Sequence, residues 1–122
     1  MMVVATDAPI SSRNLERLAR RALLGLARTG SSGSNGSGDY VLAFSSAPEV
    51  RRASSREPRQ ILDLPNDAMA GLFQAAIETT EEAIYNSLLK ATDVTGQGGR
   101  TAEAIPVDDL MEVLRKYGVI EG

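Results

Sequence analysis

The sequence has no cysteine, no histidine and no tryptophan, and its aromatic residues are three tyrosines and two phenylalanines among 122 residues. Without thiols or imidazoles the chain has no disulfide, no cysteine nucleophile, no thiolate or imidazole metal site and no Ser-His-Asp triad of its own. So few aromatics leave little stacking surface for bases, which argues against a single-strand nucleic-acid binder. No apolar run approaches the roughly 20 residues that span a bilayer. The opening residues also lack the basic segment and long apolar stretch of a secretory signal. The expectation is no membrane and no nucleic-acid partner, no metal and no cofactor, with the cytoplasm the favoured compartment and the periplasm the alternative.

What is present fits an ordinary globular protein, with 43% hydrophobic and 24% charged residues. The length suits one domain built on one core, over residues 1–122. The net charge of −3 hides an asymmetry, because residues 1–60 carry +4 and residues 61–122 carry −7. Such a dipole suits two faces meeting oppositely charged neighbours in an assembly better than it suits an anionic ligand.

Along the chain, Met1 to Ala5 is apolar on both alternations and predicts a strand buried on both faces. Ser11 and Ser12 then offer caps to an amphipathic helix over about residues 12–28. Its stripe is Leu15, Leu18, Ala19, Ala22 and Leu26, and its arginines fall mostly elsewhere, on a solvated or interface face. A loop without apolar residues, Thr29 to Asp39, feeds a second strand near Tyr40 to Ser46. Residues 47–60, with two prolines and four arginines, predict an exposed, mobile connection without an element.

Asn66 and Asp67 are placed to cap a long helix reaching about Ala91. Its stripe starts with Met69, Leu72, Phe73 and Ala76, and Glu78, Glu81 and Glu82 take an exposed face. Residues 94–104 predict a loop, and Pro106 and Asp108 open a short helix that stops at Gly118. Three helices accompany only two strands, and a two-stranded unit is marginal in water. The sheet therefore looks incomplete.

The glycine-rich loop is no phosphate cradle, since no Gly-Lys-Ser/Thr follows and the next element is a strand. If Ser37-Gly38-Asp39 enters that strand in extended form, Ser37 and Asp39 point to the same side, a hydroxyl beside a carboxylate. Alone, a Ser-x-Asp pair is a weak signal, since such residues most often make turns.

The sequence Val3-Val4-Ala5-Thr6-Asp7-Ala8-Pro9 is followed by Leu18-Ala19-Arg20-Arg21-Ala22, Leu24-Gly25, Asn35-Gly36-Ser37-Gly38-Asp39 and Ala43-Phe44-Ser45. In that order and spacing they resemble the smaller, C-terminal chain of the L-aminopeptidase/D-amino-acid esterase-amidase family, which includes the DmpA-like and β-peptidyl aminopeptidases. The match is specific over residues 3–46 and looser over the later helices. The resemblance implies an α+β fold, part of an αββα sandwich completed by a separate, larger α chain. Both chains come from a precursor that cuts itself before a serine. That serine becomes the N-terminal nucleophile and is expected immediately before Met1, while the family's acid and helper serine fall on Asp39 and Ser37. The oxyanion groups and most of the substrate pocket belong to the α chain, and the αβ units associate further, as four pairs.

The implied activity is a hydrolase that removes N-terminal L-, D- or β-amino acyl residues from small peptides, amides or esters through an acyl-serine. Two alternatives stand beside it. An ornithine acetyltransferase-like acyl transferase shares the fold, but the Asn-Gly-Ser-Gly-Asp signature points away from it. A non-catalytic interaction domain with an anionic partner predicts strongly salt-sensitive binding by this chain alone.

Overall fold

The computed structural model describes residues 1–121. It divides into two compact units, Met1–Ala83 and the part from Ile84 onward. The elements are β1 (Met2–Thr6), α1 (Ser12–Arg28), β2 (Val41–Ser45), α2 (Met69–Leu89), β3 (Val94–Thr95), β4 (Thr101–Ala102) and α3 (Val107–Lys116). Among the described residues no helix is long and apolar enough to cross a membrane.

In the first unit β1 and β2 pair in parallel, Met2 opposite Val41 through Thr6 opposite Ser45. Parallel neighbours need a crossover, and α1 supplies it. One face of this pair, with Met2, Val4 and Thr6 half-buried, looks toward the helices. Val4, Leu15, Leu72 and Phe73 pack there around Ile10, Leu18, Met69 and Ala76. The other face carries Met1, Val3, Tyr40, Leu42 and Phe44, each at least half exposed. The strand expected to be buried on both faces is thus covered on one only, because nothing among the described residues lies over the second.

Helix α1 follows its predicted span, but its first turn is held differently. Ser11 makes no side-chain cap. Instead Asp63, 52 residues away, accepts the Ser11 backbone N–H at 2.8 Å and the Asn14 side-chain amide at 3.0 Å. Asn14 is buried, and its oxygen in turn accepts from Arg17 at 2.9 Å. A carboxylate at a helix N-terminus is favoured by the helix dipole. The Ser11 N–H, followed by the other donors, holds the Asp63 carboxyl below the usual range. A lowered carboxyl pKa contributes stability above its unfolded value that is lost as pH falls through the folded one. Asp63→Asn is therefore expected to lower Tm near neutral pH and to flatten the fall in Tm below about pH 4, measured by thermal melts from pH 6 to pH 3.

The two helices meet through specific contacts. Arg17 and Arg21 both lie over the Phe73 ring, 4.9 and 4.4 Å from its centre. Glu81, expected on a solvated face, bonds Arg28 at 3.2 Å. Between Gly25 and the Ile77–Glu81 turn the backbones approach so closely that a Cβ on Gly25 would stand 2.5 Å from the Ile77 carbonyl oxygen.

Three local expectations are corrected. Asn66 and Asp67 give no side-chain cap; Asn66–Ala68 is a 3₁₀ turn leading into α2. The 47–60 connection holds a 3₁₀ turn at Pro48–Val50, and Ala47 is buried, while residues 51–60 are exposed. In the second unit the stretch read as a loop folds into the antiparallel pair β3–β4. Gly98 and Gly99, at φ of 75° and 72°, reverse the chain, and two-residue strands are too short to show an alternation. Helix α3 ends as expected: Gly118 takes φ of 66°, and its N–H and that of Val119 return to the Arg115 and Leu114 carbonyls.

Candidate active site

The candidate site sits where β2 begins. After α1 the chain makes a turn in which the Ser37 N–H donates to the Ser34 carbonyl at 2.9 Å. Gly36 holds the positive φ, 98°, that the third position of such a turn requires. Released from the turn, Ser37, Gly38 and Asp39 lead directly into β2. The Ser37 hydroxyl donates to the Asp39 carboxylate. The two residues singled out from the sequence are therefore brought side by side, hydroxyl against carboxylate, both exposed.

Their surroundings come from α1. A cleft of about 370 Å³ is lined by Ser31, Ser37 and Asp39 together with Leu23, Leu26 and Ala27, which come from the last turns of the helix. The cleft is partly aliphatic and its only ionisable lining group is Asp39. The sequence did not single out Leu23 or Ala27. A signal was present, since both are apolar residues outside the stripe that packs on the core.

Sheet register places the strand starts relative to the pair. The Met2 N–H donates to the Tyr40 carbonyl at 3.0 Å, and Met2 stands across from Val41. One residue further back in each strand, Met1 comes level with Tyr40. The front of β1 and the Ser37–Asp39 pair thus lie at the same end of the sheet. An exposed carboxylate paired with a hydroxyl at a strand start can orient a neighbouring nucleophile or stabilise a positive charge there.

Known proteins resemble this chain in sequence and in fold. Beta-peptidyl aminopeptidase BapA from Sphingosinicella microcystinivorans is 42% identical over 117 residues, which are 96% of this chain and 30% of that protein. An L-aminopeptidase D-Ala-esterase/amidase from Ochrobactrum anthropi, described as a prototype of the serine aminopeptidases with a variant Ntn hydrolase fold, superposes with a TM-score of 0.80 at 35% identity. That match covers 96% of this chain and 33% of that one. A Burkholderia beta-aminopeptidase gives a TM-score of 0.75 at 36% identity, covering 95% of this chain and 35% of that one. The chain spans about a third of the length of these relatives. Its α+β architecture is accordingly one part of the Ntn hydrolase fold they share. Residues 1–102 match the family described as Peptidase family S58, and the chain belongs to that family.

Proposed function

We propose that this chain is the smaller, β chain of a self-processed serine aminopeptidase. In this reading a serine stands immediately before Met1 as nucleophile, and a larger α chain from the same precursor completes an αββα sandwich. The observation that carries the proposal is the sheet register. With Met2 opposite Val41, the position before Met1 comes level with Asp39. Partners across a parallel pair project to the same side of the sheet, so the nucleophile's side chain shares a face with the Asp39 carboxylate.

The chemistry needs no histidine. An α-amino group has an ordinary pKa of about 7.7–8.0, so near neutral pH a useful fraction is neutral and accepts the proton of its own residue's hydroxyl. The serine oxygen attacks the substrate carbonyl carbon, the bond to the leaving group breaks, and the proton passes from the amine to that group. Water, deprotonated by the same amine, then hydrolyses the acyl-serine. Asp39 and Ser37 are helpers: the carboxylate fixes the Ser37 hydroxyl and stabilises positive charge on the amine.

Substrates in this reading are small peptides, amides or esters with an N-terminal L-, D- or β-amino acyl residue, in keeping with the names of the relatives. A larger partner is supported by the uncovered sheet face of Met1, Val3, Tyr40, Leu42 and Phe44 and by relatives about three times as long. The αβ pairs associate further, as four pairs.

The test is hydrolysis of the p-nitroanilides of L-alanine, D-alanine and β-alanine by the assembled protein, together with the intact mass of the native chain. Turnover of at least one anilide and a mass larger by one serine are expected. Silence on all three overturns the proposal.

A further inference from the structure

We infer that Leu23 and Leu26 of α1 form the wall on which the side chain of the substrate's acyl unit is seated, so that Leu23 selects its size. The inference rests on the serine aminopeptidase reading above and adds to it a subsite on this chain itself. Three observations lead to it. The cleft that holds Ser37 and Asp39 is also lined by Leu23, Leu26 and Ala27. The register runs from Met2 opposite Val41, so the nucleophile proposed before Met1 comes level with Asp39, and an acyl group carried on it is brought to the cleft that Asp39 lines. Leu23 is 40% exposed, while the buried residues of α1 are Asn14, Leu18, Ala22 and Gly25. It is thus an aliphatic side chain held at the site and not consumed by packing within the chain.

The walls define the chemistry of the ligand. Leu23, Leu26 and Ala27 offer aliphatic contact, and Asp39 is the only ionisable group lining the cleft. The favoured acyl unit therefore has an uncharged aliphatic side chain of modest size. Pockets of this kind discriminate by about 10- to 200-fold, because a methylene more or less changes only apolar contact.

The experiment compares kcat/KM for the p-nitroanilides of alanine, leucine and phenylalanine, in whichever of the L or β series the assembled wild type turns over. Leu23→Phe is expected to lower the leucine-to-alanine ratio about tenfold, and Leu23→Ala to raise the phenylalanine-to-alanine ratio by a similar factor. Ala27→Leu, on the same wall, provides a second narrowing variant should the Leu23 variants fail to assemble, and it should act like Leu23→Phe. Ratios within twofold of wild type in variants that still turn over the alanine compound overturn the inference. So does loss of the αβ complex in the Leu23 variants and in Ala27→Leu alike, which would mark the wall as an interchain surface. A wild type silent on every anilide instead removes the aminopeptidase reading, and the subsite with it.

Discussion

Asp39→Asn in the assembled protein is expected to lower kcat roughly 10²–10⁴-fold, the range for a positioned acid-base group, with a much smaller change in KM. That is about 3–5 kcal/mol of transition-state stabilisation. Asparagine keeps the shape of the side chain but removes the charge that holds the Ser37 hydroxyl and that, in the proposed mechanism, faces the amine as it gains a proton. A charge that matters only once the proton has moved acts on the transition state more than on substrate binding, which places the loss in kcat. Asp39 is exposed, so folding is spared, and circular dichroism of the variant should match wild type. Ser37→Ala removes the other half of the same pair. In the proposed mechanism the two act as one unit, so the double variant should be barely slower than the worse single one. Retention of more than a tenth of wild-type kcat by Asp39→Asn, or single losses that multiply, would show that the pair does not assist the reaction.

The second large effect is on stability. Gly25 sits where α1 crosses α2, and a Cβ there would meet the Ile77 carbonyl oxygen at 2.5 Å and the Thr80 Cβ at 2.8 Å. The nearest obstacle is backbone, which yields only if the helices part. Gly25→Ala gains up to about 1 kcal/mol in helix propensity against an overpacking cost of about 1–3 kcal/mol. With the full propensity gain the net expectation is a loss of up to about 2 kcal/mol. Gly25→Val adds two methyl groups at the same crossing and should lose more than 3 kcal/mol, beyond that overpacking range. Gly71→Ala in α2 is the control: nothing lies within 4 Å of its Cβ position, so it should be neutral or stabilising by up to about 1 kcal/mol. Urea midpoints of the three variants check the set, and a Gly25→Val as stable as Gly71→Ala would contradict the close approach.

Features that depend on neighbours in sequence are legible in the sequence. The three-to-four spacing of Leu15, Leu18, Ala22 and Leu26 defines α1, and Gly118 marks the end of α3, because helix periodicity and left-handed stops are local properties. The side-by-side placement of Ser37 and Asp39 was legible for the same reason, since two residues apart in an extended segment share a face. Features that depend on distant partners were not. Asp63 reaches the start of α1 across 52 residues, and no local pattern names it over Ser11. The backbone approach at Gly25 and the uncovered face of β1 arise only once α2 and the two-strand sheet take their places.

The sequence by itself determined β1, α1, β2 and the long stretch of α2, and the Ser37–Asp39 pair, since each is encoded by residues near one another, and the order and spacing of motifs over residues 3–46 carried the likeness to the aminopeptidases. Only the tertiary structure decided what that pair confronts. The parallel register that sets Met2 opposite Val41, at the end of the sheet where Asp39 lies, and the cleft lined by Leu23 and Leu26, come from strand pairing and helix packing. Those choices are made by burial across the whole first unit, where hydrogen-bond partners and apolar neighbours lie tens of residues apart.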